Sequence, residues 1–197
     1  MNVTLIIVSS LMSLGFFSQY RSNKMVSKTE TPKYELIKSY TKFEIRKYPE
    51  MILATTKLGG DSYSNNSSKG FRNVASYIFG GNNENKQISM TSPVMSSIED
   101  SMSMSFIMPS EYKLSELPTP NNKNVKLSIQ PERTIAVITF SGFANDYDIK
   151  YYTKILKEQL IIVGLEASGK VYFQGYDPPF KLFNRTNEIA IELTNYE

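Results

Sequence analysis

Residues Gly70 to Val94 read GFRNVASYIFGGNNENKQISMTSPV, and the reading of this stretch decides the fold. Phe71, Val74, Ala75 and Ile78 recur at i, i+3, i+4 and i+7, the spacing of one helix face. Gly80-Gly81 ends the helix, because glycine takes the left-handed conformation of a helix terminus at little cost. Asn82, Asn83 and Asn85 continue the turn chemistry. Ile88 and Met90 then alternate with polar residues, which predicts a strand with one buried face. Pro93 is expected to end its pairing, since proline has no N–H to donate. A helix face and a strand face thus meet across a tight turn. Both are apolar, so they form either half of a core or one wall of a pocket.

Strands surround this unit on both sides. Upstream, Tyr34 to Ile37 and Phe43 to Tyr48 alternate as a hairpin, and Met51 to Leu58 resumes as a strand ending at Gly59-Gly60. Asp61 is positioned to cap a helix entering the Ser/Asn-rich residues 62–68, which are weak helix formers, so the helix start is open as far as Lys69. Downstream, Met102, Met104, Phe106 and Met108 alternate with Ser101, Ser103 and Ser105. With Met90 and Met95 they make a methionine-rich surface, either flexible core filling or an adaptable ligand wall. Leu117-Pro118-Thr-Pro120-Asn-Asn is a loop at mid-domain.

The second half then repeats the first. Val125 to Ile129 and Arg133 to Phe140 form a strand pair. Asn145, Asp146 and Asp148 are good residues for a helix N-terminus. Ile149, Tyr152, Leu156, Leu160 and Val163 trace a helical stripe closed by Gly164. Strands at Lys170 to Tyr176 and Asn187 to Leu193 follow. PEMILATTKLGGD near residue 50 echoes PERTIAVITFSGFAND near residue 131. Each half is strand, strand, helix, strand, strand. This predicts an α+β fold, a distorted eight-stranded antiparallel β-barrel with two flanking helices, built as a duplicated ββαββ unit. The first helix reads as the shorter, less rigid copy, and so as the place where a ligand enters.

Composition narrows the function. The 197 residues suit one domain with a real core, 41% hydrophobic and 21% charged, with net charge +3. No cluster of basic and aromatic residues marks a nucleic-acid footprint. There is no cysteine and no histidine. That excludes disulfides, thiolate metal sites, a Ser-His-Asp triad and histidine ligation of a metal or haem. An enzyme would have to rely on carboxylates, lysine or tyrosine, and the motifs that carry a family resemblance, given below, point to Glu44, Glu188 and Glu192 as the carboxylates to consider. A buried Glu188 with a raised pKa would support that case, and an arginine-paired one would remove it. Non-enzymatic binding is the expectation.

Residues 1–19 include an uncharged apolar run, Val3 to Phe17, that reads as a signal peptide or an N-terminal membrane anchor. Its cations, Arg21, Lys24 and Lys28, follow the run rather than precede it, so the side of the membrane stays open. Residues 20–33 read as a polar linker and 34–195 as the folded domain.

At this point the chain resembles the SOUL haem-binding proteins, which include the p22-type haem-binding protein. The likeness runs from about Tyr34 to Leu193. It is carried by Phe43-Glu-Ile-Arg-Lys-Tyr48, by Gly70-Phe71 with Tyr77-Ile78-Phe-Gly80-Gly-Asn82, and by Met90-Thr-Ser-Pro93-Val94. Phe106-Ile-Met108-Pro109, Phe140-Ser-Gly142, Tyr176-Asp-Pro178-Pro179 and Arg185-Thr-Asn187-Glu188 continue it in order. The resemblance implies an apolar pocket for haem or a related tetrapyrrole beside the first helix and a late loop. Carried over by motif, the cofactor-binding residues are Phe71, Val74, Ala75, Ile78 and Met90, with Tyr176, Pro178, Pro179 and Phe180 from the loop. Lys69, Arg72, Lys181 and Arg185 flank them as partners for the propionates. With no histidine, the iron is open or held by Tyr176, Met90, another methionine or a lysine. The alternative is a module for another flat apolar ligand, as in the effector-binding domains of the same architecture. The membrane is a partner through the N-terminal segment if that segment is not cleaved.

Overall fold

The computed structural model describes residues 29–60, 62–98, 101–167, 169–193 and 196. The strands are β1 (Glu35–Ser39), β2 (Glu44–Tyr48), β3 (Met51–Lys57), β4 (Val94–Ser97), β5 (Ser103–Ile107), β6 (Val125–Gln130), β7 (Arg133–Ser141), β8 (Val171–Gly175) and β9 (Thr186–Glu192). Helix α1 is Tyr63–Ile78 and helix α2 is Asp146–Ile162. All nine strands join one sheet in the order β1-β2-β7-β9-β8-β4-β5-β3-β6, and every pairing is antiparallel.

The duplication is visible in that order. Half one contributes β4-β5-β3 and half two contributes β8-β9-β7, and the halves meet where β4 pairs β8. The first strand of each half crosses over: β2 pairs β7, and β6 pairs β3. The two halves are therefore interlocked rather than being two separate four-stranded sheets. Among the described residues the strand count is nine, not eight, because β1 adds to the outer edge of β2 beyond what the repeat supplies. The sheet curls like a barrel, but β1 and β6 remain its two edges.

Period-2 alternation sends side chains to two faces, and over the central strands both are buried, while the edge strand β1 is exposed throughout. On the outer face, α2 covers β7 and β9 through Ile149, Leu156 and Leu160, which pack with Ile45, Phe140, Phe173 and Ile189. Helix α1 covers β3, β5 and β6 through Val74, Ala75 and Ile78, which pack with Met102, Met104, Phe106 and Met108. The inner face gathers Tyr48, Leu53, Met95, Ile107, Ile135, Val137 and Ala190 from both halves. The methionines thus separate. Met102, Met104 and Met108 fill the core under α1, while Met95 lies on the opposite face.

Local chemistry explains the helices. Ser62 caps α1, its hydroxyl accepting from the Asn65 N–H at 3.2 Å. Asp146, in the first turn of α2, also accepts from the Tyr63 N–H at 2.7 Å and from the Ser62 hydroxyl at 3.0 Å. One carboxylate therefore serves both helix N-termini, where the macrodipoles favour negative charge. Partial burial works to raise the Asp146 pKa, but hydrogen bonds from Ser64, Ser62 and the Tyr63 backbone outweigh it and lower the pKa. The Ser62 cap and this long-range carboxylate together account for α1 beginning at Tyr63 despite its weak helix formers. At 16 residues α1 nearly equals the 17 of α2, so it is not the short copy. At Gly70, a Cβ would lie 2.7 Å from Leu58 Cδ1 and 3.1 Å from Met104 Cβ, so the glycine lets α1 press onto the sheet. Gly80, at φ +100, ends the helix as expected.

The stretch after α1 differs from expectation. Ile88 is buried and Met90 half-buried, but neither lies in a strand. The Ile88 N–H bonds back to the Ile78 carbonyl at 2.8 Å, and Asn82, 1% exposed, organises the turn. Its amide donates to the carbonyls of Tyr77 and Lys86, and its oxygen accepts from the N–H groups of Glu84 and Lys86. Strand β4 begins after Pro93 instead of ending before it. Upstream, Glu30 already docks on the domain: its carbonyl accepts from the Ser92 N–H at 2.8 Å and its carboxylate from the Ser110 N–H at 3.0 Å.

Candidate functional site

The structure places the nine residues expected from sequence in three environments. Val74, Ala75 and Ile78 are 0–7% exposed and belong to the core beneath α1. Phe71 and Met90 are half-buried at its margin, Phe71 with its ring 5.3 Å from that of Phe106. Tyr176, Pro178, Pro179 and Phe180 lie in the connection from β8 to β9. That loop is tied to itself. The Lys181 ammonium sits 2.7 Å from the Asp177 carboxylate, and the Arg185 guanidinium donates to the carbonyls of Pro178 and Lys181, each at 2.8 Å. These two cations therefore brace the loop. Phe180 is 41% exposed, and Arg185 lies over the Phe143 ring at 4.5 Å.

The inner face carries a charged network of which Glu44, Glu188 and Tyr176 were singled out from the sequence but Arg46, which joins them, was not. Arg46 on β2 pairs with Glu188 on β9 at 3.0 Å and with Glu44 at 2.7 Å. Its guanidinium lies 4.4 Å from the centre of the Tyr34 ring. The Tyr176 hydroxyl donates to the other Glu188 oxygen at 2.6 Å, and Thr139 adds a bond at 3.3 Å. Arg46 is 6% exposed and Glu188 is 4% exposed. Burial works against the charged form of Arg46, yet Glu188, Tyr48 and Glu44 outweigh it and raise its pKa. Burial, followed by the adjacent Glu188 charge, raises the Tyr176 pKa far above the ordinary phenol range. A second pair, Arg133 with Glu192 at 2.7 Å, lies beside the Tyr172 ring. All three carboxylates considered for catalysis are arginine-paired, and the oxygens of Glu188 are taken up by Arg46, Tyr176 and Thr139. That leaves them poorly placed to accept a substrate proton.

Two open clefts lie elsewhere. One, of about 400 Å³, runs beside α2 between Ile98, Val171, Ile161 and a row of lysines. The other, of about 630 Å³, lies at the β1–β2–β7 end and is lined by Glu35, Lys47, Arg133, Glu192 and Tyr196. Neither contains any of the nine expected residues. Among the described residues no three carboxylates gather as a metal site would need, and no helix is long and apolar enough to cross a membrane.

Comparison with known proteins places this architecture. Among solved structures, the C-terminal domain of EcmrR superposes with a TM-score of 0.60, covering 81% of this chain and 96% of that one at 11% identity. A hydrolase from Listeria innocua superposes with a TM-score of 0.56, covering 80% and 94% at 12% identity. At such identities the likeness shows the fold alone. By sequence, Heme-binding protein 2 of Homo sapiens is 31% identical over 160 residues, 75% of this chain and 76% of the relative. Heme-binding protein 1 of Xenopus laevis is 27% identical over 177 residues, 84% and 87% respectively. The SOUL heme-binding protein profile matches residues 29–192, from the docked Glu30 segment to the end of β9. With that match spanning both halves of the interlocked sheet, the chain belongs to the SOUL heme-binding protein family.

Proposed function

We propose that this protein binds haem or a related tetrapyrrole reversibly, as a carrier or buffer, and performs no chemistry on it. The family match over residues 29–192, with relatives named for heme binding, carries this reading. The donor set supports loose binding. With no histidine or cysteine, the ligands left for the iron are oxygen, thioether and amine groups. Tyr176 holds its proton against Glu188, so it does not offer a phenolate. Met90 is half-buried and presents a weak thioether donor. The chain thus suits the macrocycle and its propionates better than it suits the iron.

Magnitudes agree with exchangeable binding. Burying ~300 Å² of porphyrin at ~25 cal/mol per Å² gives about 7–8 kcal/mol. Association costs remove about 4 kcal/mol or more, and rim charges return at most ~1 kcal/mol each. With each of the two propionates fully paired to one rim charge, the result is about 5–6 kcal/mol, in the range of tens to hundreds of micromolar. Titrating haemin into the domain is expected to give a saturable Soret shift in that range, insensitive to imidazole-directed modification. No shift up to ~200 micromolar would overturn the reading.

The apolar run Val3 to Phe17, outside the described residues, makes a membrane or the space beyond it the proposed setting. Alkaline carbonate extraction of cells expressing the full chain should leave it in the membrane pellet or in the exported fraction. Recovery of the uncleaved chain in the soluble cell fraction would refute this placement.

A further inference from the structure

Helix α2 buries Ile149, Leu156 and Leu160 against the sheet. Lys150, Lys154 and Lys157 follow one another at i, i+4 and i+7 along one edge of its remaining surface. At 1.5 Å rise per residue they span about 10 Å. Between this edge and the sheet lies the open groove of about 400 Å³, within the range of small-molecule sites. Its wall and floor are Ile161, 73% exposed, with Ile98 and the fully buried Val171. Lysine stems add further apolar surface while the ammonium groups reach water. Among the described lining residues the only acid is Glu158, and Lys154 reaches it at 3.9 Å, a loose contact. Among the described lining residues, lysines thus outnumber acids by three to one, and Lys157 has contacts of its own.

An apolar hollow with a cationic lip fits an apolar body that carries acids along one edge. A bilayer surface would meet the protruding Ile161 and Ile162 but leave the recessed Val171 uncovered, whereas a small ligand lying in the groove reaches both Ile161 and Val171. Helix α1 has no matching lip: its only cations are Lys69 and Arg72, amid serines and asparagines. We infer that the α2 groove is a binding site for small apolar dianions, with Lys150 and Lys154 meeting the acids and Ile161 meeting the body. For the tetrapyrrole as occupant this rests on the haem-binding reading; the groove itself does not.

Two fluorescent probes separate the cases: metal-free protoporphyrin IX, a flat dicarboxylate, and bis-ANS, a non-porphyrin apolar dianion. The double variant Lys150→Glu/Lys154→Glu changes exposed side chains, so its melting transition should match the wild type. It is expected to weaken both probes at least tenfold. Lys150→Gln/Lys154→Gln should weaken them less, Ile161→Asp should weaken them as well, and wild-type affinity should fall with salt. If haemin and protoporphyrin IX bind the wild type and all three variants alike, the groove proposal fails and the haem reading stands. If bis-ANS binds through the lysines while neither porphyrin binds, the groove stands and the haem reading fails. If neither probe binds the wild type, the groove proposal falls.

Discussion

Replacing Arg46 by alanine is expected to destabilise the domain by about 3–5 kcal/mol. That is a large share of the ~5–15 kcal/mol that holds a typical domain together. The loss does not come from the attraction alone. Arg46→Ala leaves Glu188, 4% exposed, as a buried carboxylate with Tyr176 and Thr139 as its side-chain donors among the described residues. It also removes the guanidinium from the Tyr34 ring and frees Glu44. Urea unfolding should show a lower midpoint with an unchanged slope, the sign of lost stability rather than a changed unfolded state. The pair as a unit behaves differently. Arg46→Met combined with Glu188→Leu should recover much of the loss, since well-packed apolar residues often replace a buried ion pair at little cost. A single variant within ~1 kcal/mol of wild type would mean the pair is solvated, the worth of an exposed bridge, and that the inner face is open to water.

The same network shows where reading the chain succeeds and where it stops. Alternation in FEIRKY correctly placed Phe43 and Ile45 on a buried face. The same alternation puts Glu44 and Arg46 on the opposite face, which meets solvent only in a sheet with one wet face. Curling buries the second face as well, and that depends on partners far along the chain: β2 lies against β7, and β7 against β9. The duplication was legible from the echo around residues 50 and 131, but the exchange of first strands was not, since nothing local says which half β2 or β6 will pair with. The start of α1 was partly hidden for a like reason, because its local cap, Ser62, is supported by Asp146, 83 positions away from Tyr63. Signals did exist. An arginine and a glutamate at inward positions of two family motifs, with a tyrosine in a third, are the residue types that settle a buried charge. The α2 groove had only the lysine spacing to announce it, because Ile98 and Val171 join it from other elements.

Ile78→Asp is expected to abolish cooperative folding. Ile78 is 0% exposed, packed in the cluster of Val74, Ile88, Met104 and Phe106. Losing its burial costs about 1.5–3 kcal/mol. Holding a carboxyl group there without a partner adds several kcal/mol more, whether it stays charged or takes up a proton. Together these approach the whole stability of an ordinary domain. The Ile78 carbonyl also anchors the Ile88 N–H at 2.8 Å, so the Asn82 turn is expected to loosen with it. Thermal unfolding followed by near-ultraviolet circular dichroism should show no sigmoidal transition. Loss of haemin binding in this variant would then report lost structure and not a lost ligand contact. Phe71→Ser is the better probe of the α1 margin, because Phe71 is half-buried and its loss leaves the three core residues below it in place. The opposite result for Ile78→Asp would be decisive in its own way. A cooperative melt within a few degrees of wild type would mean that water already reaches the underside of α1. The face traced by Phe71, Val74, Ala75 and Ile78 would then be a pocket wall, and the tetrapyrrole would belong under α1 instead of beside α2.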